Sequence, residues 1–501
     1  MIALDRTHTV AVIGAGTMGQ GIAQVALVAG HRVRLYDAAP GSAERGAAAI
    51  AARLARLAEK GRMDAAERDA ALARLAPAAA LGELAGAALV IEAIIEDLPA
   101  KQRLFAELED VVDDTCLLAT NTSSLSVTAV AGALRRPGRF VGLHFFNPAP
   151  LLPLVEVVSA ATTDEDAAGT AYATAAAWGK SPVRCTDTPG FIVNRIARPF
   201  YAEAFRLHEE AAADPATIDA VLRECGGFAM GPFELTDLIG HDVNEAVTRS
   251  VWESFFHDPK FTPSLAQRRL VESGLLGRKS GRGWFRYGDE EDRPLPAAAA
   301  PAPAPERVTV LGDLGPAAEL VALMEEAGIP VDHEEDGPGA ILLGDDDWLF
   351  LTNGGYATER GDSVIHFDLA LDYRAATRTA LAPGDTARPD AVRAAAGLFQ
   401  ALGKQVSVIE DVPGMIVART VAMLVDLAAD AVSKSVASPA DIDTAMRLGV
   451  NYPLGPLEWG DRLGARWVCE VLTELHDSCP GGRYAPSPLL RRRTAADGKL
   501  F

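Results

Sequence analysis

The chain has 501 residues, 49% of them hydrophobic, and a formal net charge of −21. That acidity argues against nucleic acid and anionic membrane surfaces as partners, and any anionic substrate must be held by local cations. Five scattered cysteines without CxxC spacing, no leader-like opening and no apolar run near the roughly 18 residues of a membrane span point to a cytoplasmic protein without a metal site.

TVAVIGAGTMGQGIAQVALVAGHRVRLYD, from Thr9 to Asp37, predicts strand, glycine turn, helix and second strand. Gly14 permits the tight turn, Gly16 lets the backbone approach a pyrophosphate, and Gly19 lets helix and strand pack closely. Thr17 and Met18 belong to the same cofactor-binding turn, where free N–H groups of the helix start face the anion. Asp37 is placed to accept from the adenine ribose hydroxyls and would repel a 2′-phosphate, which favours NAD over NADP. A glycine-rich turn without ligand is the alternative, but the complete order of strand, turn, helix, strand and acid supports the cofactor.

LVIEAIIEDLPAKQRLF follows, a buried parallel strand and a helix with Pro99 near its first turn. Glu96 and Lys101 then stand at the carboxyl edge of the sheet, where such folds bind ligands. LLATNTSSLSV is a further strand, ending in Asn121, Thr122, Ser123 and Ser124. GLHFFNPAPLLPLVEVV reads as strand, proline-rich turn and returning strand, with His144, Asn147 and Glu156 on an apolar background. A core histidine satisfied by a carbonyl is the bland alternative there. TPGFIVNRIARPF then opens a helical region carrying Asn194.

Residues 289–305, DEEDRPLPAAAAPAPAP, read as a semi-rigid spacer. The halves on either side repeat each other. GKSPVRCTDTPGFIVNRIARPF from Gly179 matches GKQVSVIEDVPGMIVARTVAML from Gly403 at an offset of 224, and the register holds through Gly240 and Gly464. A weaker echo at offset 298 matches Gly14 with Gly312 and Gly30 with Gly328, but puts Leu314 at the place of Gly16 and Ala317 at that of Gly19. The expected fold is an α/β Rossmann-type dinucleotide-binding domain (1–186) and an all-α domain (187–288), then, after the spacer, a degenerate second copy of both (306–410 and 411–501).

TNTSSL, GLHFFNP, DTPGFIVNR, MGPFELTDLIG and GRKSGRGWF together resemble the L-3-hydroxyacyl-CoA dehydrogenases, in the bacterial long form with a duplicated C-terminal domain. The resemblance covers essentially the whole chain. It implies NAD-dependent oxidation of a 3-hydroxybutyryl- or 3-hydroxyadipyl-CoA in fatty-acid or aromatic-acid catabolism, with acyl-CoA as substrate. It implies His144 as catalytic base and Glu156 as its partner, with Ser123 and Asn194 at the reacting end of the substrate. Asn147 is then near the nicotinamide, Glu96 and Lys101 contact the cofactor, and Lys60 contacts the CoA moiety. Arg53 falls where some relatives carry a small polar residue.

The chemistry suits these residues. Oxidising a 3-hydroxyl sends a hydride to NAD and leaves a proton, and imidazole is the side chain whose ordinary pKa fits that transfer. A carboxylate on the other ring nitrogen fixes the tautomer and stabilises the imidazolium. Neutral donors such as Ser123 and Asn194 stabilise charge on the C3 oxygen in the reverse direction. The site is expected between the dinucleotide and helical domains. In the second half Asn194 becomes Ala418, and a looser alignment places His366 opposite His144, Leu369 opposite Asn147 and Arg378 opposite Glu156, so that half reads as non-catalytic.

Three rivals are weaker. A 6-phosphogluconate or nucleotide-sugar dehydrogenase needs a catalytic Lys or Cys, and a non-catalytic NAD-binding structural or sensor protein should have lost the His144–Glu156 dyad. A multifunctional β-oxidation protein needs a hydratase domain ahead of the first strand. A homodimer, or a monomer with an internal pseudo-dimer of helical domains, fits the duplication. An adipyl-type substrate would need a cation near its far end, for which Arg195 and Arg198 are candidates.

Overall fold

Short apolar runs bounded by turn residues alternate with Ala-rich helical segments, a pattern that makes parallel sheets covered by helices. The computed structural model describes residues 2–288, 294–344, 346–496 and 498–500. The chain divides into two compact units, residues 1–195 with 434–450, and residues 196–433 with 451–501.

The first unit holds eight strands: β1 (Thr9–Ile13), β2 (Arg32–Tyr36), β3 (Leu75–Ala78), β4 (Ala87–Glu92), β5 (Leu117–Thr120), β6 (Phe140–Phe145), β7 (Leu154–Ser159) and β8 (Ser181–Thr186). Their order is β3-β2-β1-β4-β5-β6-β7-β8. All neighbours run parallel except β6 and β7, which are antiparallel. The proline-rich turn at 146–153 is too short for the crossover that a parallel pair would need. The strand order reverses between β1 and β4, so the loops after these strands form the crevice where such sheets bind ligands.

The second unit holds β9 (Val308–Leu311), β10 (Val331–Glu334), β11 (Ala340–Leu343), β12 (Asp347–Leu351), β13 (Val364–Phe367), β14 (Arg378–Pro383) and β15 (Gln405–Val408), in the order β10-β9-β11-β12-β13-β14-β15. It repeats the first sheet in reduced form, except that β11 runs antiparallel to β9 and β12 where β4 is parallel to both its neighbours. The Gly312 N–H donates to Glu334 as the Gly14 N–H donates to Tyr36. Leu314 and Ala317, in place of Gly16 and Gly19, bury their side chains there, and the glycine cradle is lost. The turn before each helical region is also kept, with Phe191 at φ 49° and Met415 at φ 51°.

The looser alignment of the second half is corrected by strand register. β14 lies at the 224 offset from β7, and Arg378 pairs with Gln405 as Leu154 pairs with Ser181. Asp368 therefore stands where His144 stands, and Ala380 where Glu156 stands; His366 is the counterpart of Gly142. Matching the two histidines puts the strands two residues out of register, a shift that preserves the face of a strand and leaves the hydrophobic pattern unchanged.

Helices of both repeats pack on each other in the second unit, Arg198–Glu209 against Val417–Ser433. Buried Arg419 donates to Glu203 (2.9 Å) and Glu210, and Arg483 donates to Glu203 as well. Burial alone would raise the Glu203 carboxyl, but Arg483 and Arg419 hold it down at about 2. The Pro/Ala segment differs from its expected role as a spacer; its residues 289–293 lie outside the described residues. From 294 on it is strapped to the second unit, through Ala299 N–H to Val406 (2.7 Å), Ala302 N–H to Gln400 (2.8 Å) and the Ser407 hydroxyl to the Ala297 carbonyl (2.7 Å).

His366 is fully buried on β13, and neither ring nitrogen has a hydrogen-bond partner among the described residues. Burial and then the charge of Arg360 push it down to about 3. The unfolded chain takes up that proton near pH 6.5, so between pH 6.5 and 3 the unfolded state binds more protons and stability falls as pH falls. His366→Leu removes this loss. Its stability relative to the parent should rise by about 2 kcal/mol on going from pH 7 to pH 5. Urea unfolding at the two pH values checks it, and an unchanged difference would count against the buried neutral imidazole.

Candidate active site

The glycine turn has the geometry its sequence requires. Gly14 sits at φ +99°, and a Cβ there would lie 2.4 Å from the Ala93 carbonyl oxygen. A Cβ on Gly19 would stand 1.7 Å from the Gly14 carbonyl oxygen, so strand and helix approach too closely for any side chain. Gly16 caps the helix Thr17–Val28 and faces open space. Gly16 and Thr17 are exposed, and Met18 packs on the core. Asp37 accepts from the N–H groups of Ala15 (2.7 Å) and Ala39 (2.9 Å), so it braces the turn as well as standing beside it. Open approach at Gly16, free N–H groups of the helix start and the adjacent acid fit a dinucleotide.

At the end of β4 lies an acid that the sequence reading passed over. Glu92 is fully buried and accepts from the Ile94 N–H (2.6 Å), Lys101 Nζ (2.5 Å) and the Thr120 hydroxyl (2.6 Å). Its signal was present, a carboxylate closing the apolar run LVIE beside a lysine one helical turn inside the next helix. Lys101 is itself 1% exposed and also reaches Glu96 at 3.3 Å. Glu96 in turn accepts from the Ser123 N–H (2.7 Å) and hydroxyl (3.2 Å) and from the Thr122 hydroxyl (3.0 Å). The buried Glu92–Lys101 pair is thus linked through the exposed Glu96 to Ser123, in the loop after β5. Lys101→Met would leave Glu92 charged and without its cation, at a cost of about 3–5 kcal/mol in urea unfolding. A loss below about 1 kcal/mol would contradict the pairing, and adding Glu92→Leu should recover part of it.

His144 and Glu156 are register partners across β6 and β7. The imidazole Nδ1 lies 2.6 Å from Glu156 Oε2, with His144 5% and Glu156 0% exposed. The other carboxylate oxygen accepts from the N–H groups of Ile192 (3.1 Å) and Val193 (2.9 Å), in the turn that leads into Asn194. Phe146 and Phe191 flank the imidazole at 4.4 and 5.7 Å between ring centres. With Nδ1 committed to a carboxylate, Nε2 carries the free lone pair. Asn121, a second residue not assigned from sequence, ties the ends of β5 and β6 together by accepting from the Phe145 N–H (2.8 Å).

The structure therefore joins His144, Glu156 and the turn before Asn194 by direct bonds, and links Ser123, Glu96 and Lys101 in a second set. Asn147 is exposed on the loop after β6. Lys60 is exposed at the end of the helix Ser42–Glu59, and Arg53 on that helix donates to Gln20 and Gln24, both at 3.0 Å. In the second unit the carboxylate survives on the other strand. Asp368 accepts from the N–H groups of Ile416 (3.0 Å), Val417 (2.8 Å) and Ala418 (3.0 Å), so the anchoring of the turn is kept while the imidazole is gone.

The family model described as 3-hydroxyacyl-CoA dehydrogenase, NAD binding domain matches residues 9–188, and the one described as 3-hydroxyacyl-CoA dehydrogenase, C-terminal domain matches 190–287 and 414–499. A 3-hydroxybutyryl-CoA dehydrogenase reduced Rossmann-fold domain matches 349–413. The chain is 44% identical to the 3-hydroxyadipyl-CoA dehydrogenase of Escherichia coli K12, covering 97% of each. It is 40% identical to a 3-hydroxybutyryl-CoA dehydrogenase of Mycobacterium tuberculosis over 56% of this chain and 99% of that one. The crystal structure of a 3-hydroxybutyryl-CoA dehydrogenase from Escherichia coli K12 superposes with a TM-score of 0.89 at 42% identity, covering 98% of this chain and 99% of that one.

Proposed function

The chain belongs to the 3-hydroxyacyl-CoA dehydrogenase family and is an NAD-dependent oxidoreductase, and from that premise we propose how its residues oxidise a 3-hydroxyacyl-CoA to the 3-oxo thioester. Bound NAD supplies the hydride acceptor. His144 Nε2 takes the hydroxyl proton as the C3 hydrogen leaves with its electron pair. The observation that carries this reading is the 2.6 Å contact of Nδ1 with a fully buried carboxylate. It holds the tautomer with Nε2 unprotonated and stabilises the imidazolium that follows. Glu156 keeps its place because Ile192 and Val193 donate to it.

Ser123 and Asn194 are the neutral donors to the C3 oxygen in this reading, and Asn147 lies toward the nicotinamide. Gly14, Gly16, Thr17, Met18, Gly19 and Asp37 cradle the dinucleotide. Glu96 and Lys101 support the cofactor side through Ser123, and Lys60 offers an exposed cation to the CoA phosphates on a strongly acidic chain. The five-segment domain division fits the repeated register, and the packing of the two helical repeats supports an internal pseudo-dimer. Free thiols at all five cysteines fit a reducing, cytoplasmic setting.

The substrates favoured are L-3-hydroxybutyryl-CoA and L-3-hydroxyadipyl-CoA, the two chemistries in the names of the relatives. NADH formation with L-3-hydroxyacyl-CoAs of both kinds tests this. Turnover of at least one, with the D-enantiomer inert, is expected; NADH formation from neither would overturn the substrate class.

A further inference from the structure

The helix Pro439–Val450 belongs by sequence to the second half, yet it is part of the first compact unit. It packs on β7 and β8, the strand of Glu156 and its neighbour, and the Thr186 N–H at the end of β8 donates to the Val436 carbonyl at 2.8 Å. Its counterpart at the 224 offset, the helix Pro215–Glu224, packs on β14 of the second sheet. Each repeat therefore gives one helix to the other repeat's sheet.

One close approach is at Gly449. A Cβ there would lie 2.7 Å from Leu154 Cδ2, 3.1 Å from Val193 Cγ2 and 3.8 Å from Phe146 Cε1. Each of these side chains adjoins the dyad. Val193 donates its N–H to Glu156, Phe146 lies 4.4 Å from the imidazole, and Leu154 is a fully buried residue of β7. A second observation puts the helix near the same centre. The buried Cys185 thiol is held well above its usual range by burial, then by the charges of Glu156, Asp187 and Asp441, the last of which is on this helix.

We propose that Gly449 is a positioning residue for the reaction, and that the non-catalytic half supplies, through this helix, one wall of the catalytic centre of the other half. The side chain missing at 449 lets the helix pack directly on Leu154 and Val193, with Phe146 just beyond, and so hold the Glu156 carboxylate and the His144 ring in one arrangement. The mirror position offers an internal contrast. At the offset of 224, Gly449 corresponds to Cys225, whose thiol lies 3.3 Å from the Leu369 carbonyl, beside Asp368. A side chain is accommodated on the side that has no imidazole to place.

The inference rests on the dyad being the catalytic pair, and the test separates the two. In the full-length protein, Gly449→Cys copies the mirror residue. It is expected to lower kcat about tenfold or more, because small misplacement of a catalytic group is costly. KM for NAD should stay within about twofold, and the acid limb of the pH–kcat profile should shift as the His144–Glu156 pair loosens. Gly449→Ala should move the same quantities in the same direction by less. Alanine is the better helix former, so at a merely structural position it would fold at least as well and turn over as before. Cys225→Ala should leave kcat and its pH profile unchanged.

A folded Gly449→Cys with parental kcat, or one with reduced kcat and an unmoved pH profile, would overturn the proposal. Should the cysteine variant not fold, Gly449→Ala decides by the same two readouts. Activity retained in His144→Ala would instead sink the catalytic reading itself, whereas loss in His144→Ala beside full activity in Gly449→Cys sinks only the role of the helix.

Discussion

Glu156→Gln is expected to lower kcat by about 10²–10⁴-fold while leaving the protein folded. The substitution is nearly isosteric, and its two ends act differently. Toward Ile192 and Val193 the amide oxygen still accepts, so the turn before Asn194 stays anchored. Toward His144 the amide presents N–H groups at a position 2.6 Å from Nδ1. Nδ1 must then accept, the proton moves to Nε2, and the nitrogen that should take the hydroxyl proton is already protonated. Glu156→Ala adds a structural fault, because two buried N–H groups lose their acceptor at about 1–3 kcal/mol each. Steady-state kinetics beside urea unfolding separate the two effects. A glutamine variant within threefold of parental kcat would show that the tautomer is held by something else.

The second half shows a carboxylate retained where the imidazole is absent. In the first unit one glutamate both orients the imidazole and caps the turn at 192–193. In the second unit Asp368 does only the capping, from the strand position His144 holds in the first. Anchoring a turn needs one buried acceptor; orienting a base needs that acceptor on the strand opposite the imidazole. Ala380 at the place of Glu156 removes the second function and leaves the first.

Much of this was legible in the sequence because its signals are local. Gly14, Gly16 and Gly19 between two apolar runs, with Asp37 after them, specify a glycine turn, and the structure bears out the steric reasons given for Gly14 and Gly19. His144 and Glu156 could be paired in advance because a proline-rich turn too short for a helix forces an antiparallel return. The duplication was legible from register alone. Side-chain partnership was not. Glu92, Lys101 and Glu96 look like ordinary charges at a sheet edge, and only the fold shows that two of them are buried as a pair. Exchange of the helices at 215–224 and 439–450 between sheets leaves no periodic trace, since each helix has the same apolar face whichever sheet receives it. The slip at His366 has the same origin: a matched residue type outweighed a two-residue register that hydrophobic alternation cannot see.

The proposed chemistry requires His144 as the proton acceptor. The direct measurement is single-turnover NADH formation from an L-3-hydroxyacyl-CoA substrate by His144→Ala beside the parent protein, with NADH affinity measured on both. Hydride transfer slowed by about 10²–10⁴-fold, with NADH bound as before, is the expected result. A His144→Ala variant that forms NADH within tenfold of the parental rate would contradict it.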